Sequence, residues 1–594
     1  MELVGFKNAT VTRPGSNHVD AAEIDPKLPP FRAEMSPMCS ELQILRRIRR
    51  LSSFHVALGL LALQQPVLPM DAWAMTTSAT GKTAPATSAP PSTTTPTPGS
   101  PKPALRRDLK TTDAAAFSIG LIGPVGAMAL LGTGAAALLG KGAVMAFVFA
   151  IVGVAFVAYG FVKLSSHISN TGSVYALVGK TIGPRTGFVA GWALVAAYVG
   201  IAIGSTIEIG LFFNSFLSLL HIATVHEWLW EAIIALAVIG VMSIREIKLI
   251  TRILLWIEIA GVALVAGLSV VIIVRLAIGA APAGQTLSFQ IFTLPAGTGI
   301  AGIAGAAVFG FLAFAGFEGA AALGGESLHP KKDIPRAIII AVALVGVFYM
   351  LVVATQSLGF GVSASGVKAF QSTSTPYGDL GTAYIGTAYA ALLNLLASIS
   401  LLAITVGTLA GAARVAMALA RDASPKSPLI KVNKFGSPMV ALGVIAAFIL
   451  IAMVGQRLTG VDEKDATFYW LTVGTIALLV AYALATAGAL KFLFFTGARK
   501  APRWQVVVPI LGLLVVLYTI YTNVVGVTGV YAWFPWIILG WLIIGFVIVQ
   551  FVPGARARVR TSLATEDDPD ATPTDPKSPT SHTASSTTSG GDHS

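Results

Sequence analysis

Of 594 residues, 55% are hydrophobic and only 11% are charged, and the mean hydropathy is +0.76; a soluble domain carries about 25% charged residues, so that class is excluded. The formal charge is +12, but Lys and Arg sit in short loops between apolar runs rather than on one soluble face, which makes them topology signals and gives no sign of a nucleic-acid partner. The lone Cys39 leaves neither a disulfide framework nor a thiolate metal site, and no cofactor is expected.

Residues 1–105 do not read as a folded domain. Arg46-Arg47-Ile48-Arg49-Arg50, the apolar run 54–63 and Ala72-Trp73-Ala74 imitate a signal peptide. The run stands too far into the chain for one, and translation from Met75 is the alternative. The Thr/Ser/Ala/Pro mixture of 76–103 cannot bury enough apolar surface to order itself, so an N-terminal extension to 105 is expected to be disordered. Residues 106–555 then form the transmembrane domain. About twelve apolar runs lie near 115–138, 143–164, 187–219, 228–243, 250–276, 299–325, 336–360, 382–412, 438–455, 466–490, 506–524 and 531–552. Each is close to the about twenty residues that cross a hydrocarbon core about 30 Å thick. Alternate loops collect the basic residues, among them Arg106, Lys180, Arg245, Lys331, Arg421, Lys500 and Arg558, whereas the other side has little beyond Lys141, Arg275, Lys368, Arg457 and Lys464. That segregation predicts an even number of spans with both termini cytoplasmic. The Ser/Thr/Pro/Asp-rich residues 556–594 are expected to be a disordered tail.

Residues 311–338 carry the strongest signal. The sixth run loosens at Gly310, Gly316 and Gly319 and holds Glu318 where hydrocarbon should be. A carboxylate inside a membrane costs about 2.5–3.5 kcal/mol on insertion scales, which makes Glu318 a functional candidate. After it, His329-Pro330-Lys331-Lys332-Asp333-Ile334-Pro335-Arg336 reads as a charged turn whose two prolines do not continue a helix.

The order Gly316-Phe317-Glu318, then Glu326 to Pro330, then Pro335-Arg336-Ala337-Ile338 resembles the pattern of the amino acid/polyamine/organocation (APC) superfamily of secondary transporters. One departure is Gly325-Glu326, where the family often has two acidic residues. Two further stretches resemble the same family: Thr171-Gly172-Ser173-Val174-Tyr175 to Gly183-Pro184 and on to Trp192, and residues 414–440. Together they cover roughly 110–490. The resemblance implies an all-α polytopic membrane protein with about twelve transmembrane helices, a leucine-transporter-like inverted 5+5 repeat, and broken helices 1 and 6.

Such transporters bind substrate near mid-membrane between two interrupted helices. Here Gly120-Leu121-Ile122-Gly123-Pro124-Val125-Gly126-Ala127 in the first run and residues 310–319 in the sixth are the matching breaks. Free N–H groups at Gly123, Val125, Gly126 and Ala127 would hold a substrate carboxylate. Phe314, Ala315 and Phe317 would face its amine and side chain. Phe311 and Phe314 are gate candidates, although the family's usual aromatic position holds Leu312. Tyr198 and Trp192 are candidate cavity walls. Glycines in membrane helices also serve simple close packing.

Proton coupling has three candidates. Glu318 is either a proton carrier or a bonded strut capping freed amides. Glu258 stands where some relatives have a lysine in place of sodium, and an interhelical strut is its other reading. Glu208 lies closer to the outer surface, where a vestibule could wet it. Thr405 and Thr408 sit where sodium-coupled relatives ligate a cation, but helical Thr commonly bonds its own i−4 carbonyl. The leading function is therefore secondary transport of amino acids across the cytoplasmic membrane by proton symport or exchange, with a small-molecule substrate, a proton or sodium as coupling ion, and the bilayer as partners. A polyamine or amino-alcohol permease is the alternative, and a non-transporting nutrient sensor stands behind it. No HExxH, GxSxG or GxxxxGK[ST] motif supports an enzyme or an ATP-driven pump.

Overall fold

Gly123 decides the first feature of the structure. Helix α1 (Thr111–Ile122) stops there because the backbone turns to φ 56° and ψ 63°, a left-handed pair that an α-helix cannot contain. Pro124 then takes the first position of α2 (Pro124–Leu139), where a missing N–H is no loss. A 3-10 turn, Gly140–Gly142, leads into α3 (Ala143–His167). The short α4 (Val174–Thr181) precedes the long α5 (Pro184–Leu219), followed by α6 (Trp228–Ile244) and α7 (Ile247–Ala277).

A second interruption follows. Helix α8 (Ile300–Ala313) ends, Gly316 turns to φ 105°, and a 3-10 segment, Phe317–Leu323, takes over. Beyond it come α9 (Pro330–Phe360), the short α10 (Ala364–Ser372) and α11 (Pro376–Tyr384), then α12 (Thr387–Ala423), α13 (Met439–Leu458) and α14 (Glu463–Phe494). The chain continues through α15 (Val507–Thr522), α16 (Phe534–Phe551) and α17 (Ala555–Thr565).

The computed structural model describes residues 109–168, 174–222, 227–244, 247–324, 327–433 and 435–565, which belong to one unit, Pro101–Ser594. The expectations for residues 1–105, for Glu326 and for the chain beyond 565 lie outside them. Among the described residues the structure is helical without strands, apart from an isolated bridge between Leu109 and Ser327.

The scaffold is α5 packed against α12 and α14. Gly200 of α5 and Gly474 of α14 meet backbone to backbone, so that a Cβ on Gly200 would lie 2.7 Å from the Gly474 Cα. At the periphery, Trp192 of α5 and Trp541 of α16 stack with ring centroids 4.6 Å apart. Each indole N–H donates 2.8 Å to the other residue's carbonyl. Trp192 is thus a docking residue for α16, the packing role that aromatic residues on a membrane helix more often have.

Polarity is distributed inside out. Trp230, Val347, Ile451, Leu514, Trp536 and Phe551 are exposed, whereas Glu208, Glu258 and Glu318 are buried. Large exposed apolar side chains around a core containing carboxylates describe a lipid-facing surface. Nine helical stretches among the described residues are long and apolar enough to cross a membrane, against about twelve expected. The difference has physical causes: 115–138 and 143–164 join through the turn at Gly140–Gly142, 299–325 is cut by the second interruption, and α6 is only 17 residues long. The chain is a multi-pass membrane protein.

Two expectations are corrected. The charged stretch 329–336 is largely helix, because Pro330 is the first residue of α9, where its missing N–H is no loss, and Pro335 within the second turn costs only the one bond to Lys331 O. Residues 555–565 form α17 instead of continuing as irregular tail; Arg558 anchors it by donating to the carbonyls of Asp422 (3.0 Å) and Ala423 at the end of α12.

Candidate functional site

The first interruption leaves the opening turn of α2 facing its neighbours with backbone N–H groups. The expectation was that these N–H groups would be free. Pro124 has none. Val125 N–H donates to Glu258 Oε1 of α7 at 2.8 Å, and Gly126 N–H to Ser400 Oγ of α12 at 2.9 Å. Ala127 N–H returns to Gly123 O at 2.9 Å, and Gly123 N–H to Ile119 O at 3.0 Å. The positive end of α2 is therefore capped by two side chains from distant helices. Glu258 is buried, 3% exposed. The carbonyl of Val125 is also taken, by Tyr377 Oη at 3.2 Å.

The second interruption is capped from within. Glu318 Oε2 accepts Gly316 N–H at 3.2 Å and Tyr482 Oη at 2.8 Å, while Oε1 accepts Tyr198 Oη at 3.1 Å. Three donors on one buried carboxylate are what a strut needs. Ser118 of α1 ties the two interruptions together: its Oγ accepts Ala320 N–H at 2.8 Å and donates to Phe317 O at 3.2 Å. Tyr349 of α9 donates to Ala313 O, the last carbonyl of α8, at 2.5 Å.

Two cavities flank this junction. The larger, about 340 Å³, runs from Glu318 past Leu121 and Tyr198 to α4 and the last third of α12, where Arg414 lines it. The smaller, about 30 Å³, lies between the start of α2 and the end of α8, with Ala127, Ser205, Glu208, Leu312, Ala315 and Thr408 in its wall. Glu208 is buried in its wall. It is 3% exposed, and its Oε1 has no hydrogen-bond partner among the described residues.

The candidates divide accordingly. Ala127, Ala315, Glu208 and Thr408 converge on the small cavity, and Glu318 with Tyr198 lines the large one. Gly123, Val125, Gly126 and Glu258 stand behind these walls. The three phenylalanines turn away from both. Phe311 is fully buried and lies against Gly153 of α3, Phe314 meets Tyr349 edge-on with centroids 5.0 Å apart, and Phe317 meets Phe161 at 5.4 Å. The expected aromatic gate of Phe311 and Phe314 is thus helix packing in this conformation, because the end of α8 is wedged between α3 and α9. Leu312, the position the resemblance marks for an aromatic residue, is the one that reaches the small cavity. The Thr405 and Thr408 hydroxyls donate to Leu401 O and Ile404 O at 2.8 and 2.9 Å, the i−4 pattern.

Sequence reasoning missed Ser118, Ser400 and Tyr482. Ser400 and Tyr482 are polar residues inside apolar runs, and that polarity was the available signal; Ser118, near the start of its run, carried none.

The amino acid permease family model matches residues 115–493. The chain is similar to a branched-chain amino acid permease of Bacillus subtilis, 27% identical over 402 residues covering 64% of this chain and 80% of that protein. It is also similar to a low-affinity putrescine importer of Escherichia coli, 24% identical over 310 residues covering 52% and 66% respectively. An L-asparagine permease of Escherichia coli is 24% identical over 379 residues, covering 61% and 72%.

Proposed function

Because the chain belongs to the amino acid permease family, we propose that it is a secondary active transporter carrying amino acids or related amines across the cytoplasmic membrane, driven by protons through symport or exchange. The observation that carries this reading is the pair of interrupted helices whose ends meet around a pocket, since an alternating-access carrier needs a mid-membrane site that no continuous helix closes. The transporter domain on this reading spans 106–555, with both termini cytoplasmic and the larger cavity on the side of the basic loops.

The architecture we infer is twelve crossings, the first ten arranged as two inverted halves of five. Recurrent local geometry supports it. The two longest helices, α5 and α12, each follow a short helix and begin after a glycine of nearly equal backbone angles, φ 148° and ψ 166° at Gly183, φ 147° and ψ 165° at Gly386.

Proton coupling is supported by carboxyl groups at the moving junctions. Of these, Glu258 is the proposed carrier, because it joins α7 to the opening turn of α2 beside Ser400 of α12. Uptake of a panel of labelled amino acids and amines into proteoliposomes, with an imposed proton or sodium gradient, tests the proposal. Acceleration by an inward proton gradient that Glu258→Gln abolishes is the expected result. Ligand binding without uptake or counterflow would make the protein a sensor and end the transport reading.

A further inference from the structure

One face of the last described helix is seated on the protein, and the other carries charge. Helix α17 starts four residues after α16 ends, past the left-handed Gly554 (φ 72°). The 18 residues of α16 rise about 27 Å, close to the thickness of a hydrocarbon core, which leaves α17 at the depth of the headgroups. Ala555, Val559 and Leu563, four apart, are buried as α17 packs against α4, α5, α12 and α16, with Leu563 reaching Gly179 of α4. Arg558 fixes that face through the carbonyls of Asp422, Ala423 and Pro553. Arg556 and Arg560, also four apart, are exposed and have no hydrogen-bond or ion-pair partner among the described residues. Arg185 at the start of α5 is in the same condition, and Arg421 at the end of α12 is exposed while donating to Ser562 Oγ of α17 at 3.4 Å. No exposed carboxylate answers them on these elements. Helices α4, α16 and α17 contain no acidic residue, and those of α5 and α12, Glu208 and Asp422, are buried. Asp422 accepts Tyr175 Oη and lies 3.5 Å from Arg421 Nε.

We propose that the arginine face of α17 binds anionic phospholipid headgroups of the adjoining leaflet, and that this contact keeps α17 seated on α4 and the end of α12. Depth and charge select this partner: the arginines stand one turn beyond the last membrane helix, where an anionic leaflet attracts each basic side chain and their aliphatic stems can lie along its apolar edge. The seat matters because both elements wall the larger cavity. Val174 and Leu177 of α4 and Val415 and Ala418 of α12 line it. A headgroup that holds α17 down therefore steadies one wall of the passage, and the composition of the leaflet becomes an input to uptake. Lipid binding stands on the geometry of α17 alone, whereas its effect on uptake rests on the transport reading above.

The full chain, purified in detergent, is titrated with labelled phosphatidylglycerol and with labelled phosphatidylcholine, then reconstituted in phosphatidylcholine vesicles with and without phosphatidylglycerol for uptake of the labelled panel. Phosphatidylglycerol is expected to bind at least about tenfold more tightly at low salt, with the preference shrinking as salt rises. Arg556→Gln and Arg560→Gln should each lower that preference about fivefold, and the double variant should lose the stimulation of uptake by phosphatidylglycerol. Lys at both positions should restore most of each. Because the two side chains are exposed and bond to nothing, the Gln variants should melt with the parent, so that a lost preference is a lost headgroup contact and not a lost fold. An unchanged preference in the double variant would overturn the inference, as would displacement by inorganic phosphate, which would make this a site for a free anion. A preference that emerges only in a chain ending at Thr565 would give the arginines to the acidic run Glu566-Asp567-Asp568 and overturn it too. Equal uptake in both kinds of vesicle would overturn the coupling to the cavity wall. A preference for phosphatidylglycerol without uptake of any compound would instead remove the transport reading and leave the lipid site standing.

Discussion

The two interruptions solve one physical problem in different ways. At Gly123 the helix breaks within a single residue, and the exposed amides of α2 are capped from α7 and α12, by Glu258 and Ser400. At residues 314–316 the break takes a full turn, and the cap comes from the same segment, with Glu318 bonding Gly316 two residues back and drawing in Tyr198 and Tyr482. A cap held by a neighbouring helix is lost when that helix moves, whereas a cap within the segment travels with it. The first break is thus the one whose hydrogen bonding can depend on conformation, and the second is the rigid reference.

Removing the second cap should have the largest effect. Glu318→Ala leaves two tyrosine hydroxyls and an amide without their acceptor, and a stability loss of about 3 kcal/mol or more is expected from the usual penalty for orphaned buried groups. Chemical denaturation of the purified chain checks it, and an unchanged midpoint would show that Glu318 is no strut. Glu258→Ala takes the acceptor from the Val125 amide and the Ser400 hydroxyl and should cost about 1–3 kcal/mol. If it costs as much as Glu318→Ala, the contrast between a remote cap and a local one fails.

Backbone substitutions sharpen the comparison further. Gly123→Ala and Gly316→Ala each place a Cβ in a left-handed conformation, at about 1–2 kcal/mol. Gly123→Ala should be the worse of the two, because its Cβ would run into the Ile404 side chain, whereas at Gly316 the nearest atom is Leu121 Cγ at 3.0 Å. Melting temperatures of the two variants decide the order.

The smallest effect belongs to a pair remote from both breaks. Arg457 donates to Glu227 through Nε at 3.1 Å and a second nitrogen at 2.6 Å, and this bonding holds the Glu227 carboxyl below its ordinary range. A carboxyl depressed in the folded state adds stability above its unfolded pKa and loses it as pH falls through the folded value. Glu227→Gln should therefore melt slightly below the parent at pH 7 and match it once the pH is well below about 4. A difference that persists in acid would exclude the ion pair as its cause.

The places where the sequence could be read ahead of the structure share one trait: the deciding interaction is local. Gly123 followed by Pro124 announces a break because left-handed glycine and first-turn proline act on their own residues. Gly316 does the same beside Glu318. Reading failed where partners are far apart in the chain. Nothing near Val125 reveals that its N–H belongs to Glu258, 133 positions away. Facing failed likewise, since a helix offers Phe311 and Leu312 adjacent angular positions and only the wedge of α3 and α9 decides which one lines the cavity. The burial of Glu208 was not legible either, because it comes from the packing of α2, α8 and α12 around α5.

Sequence alone determined that this chain lives in a membrane, that its helices break at two glycines, and that a carboxylate stands beside the second, because hydropathy and backbone strain are properties of short stretches. Which carboxylate is satisfied and which is left waiting was decided only by tertiary structure. Hydrogen-bond supply at a buried site is the sum over every helix that reaches it, and here α2, α5, α8, α12 and α14, which line the small cavity, leave Glu208 Oε1 without a donor among the described residues.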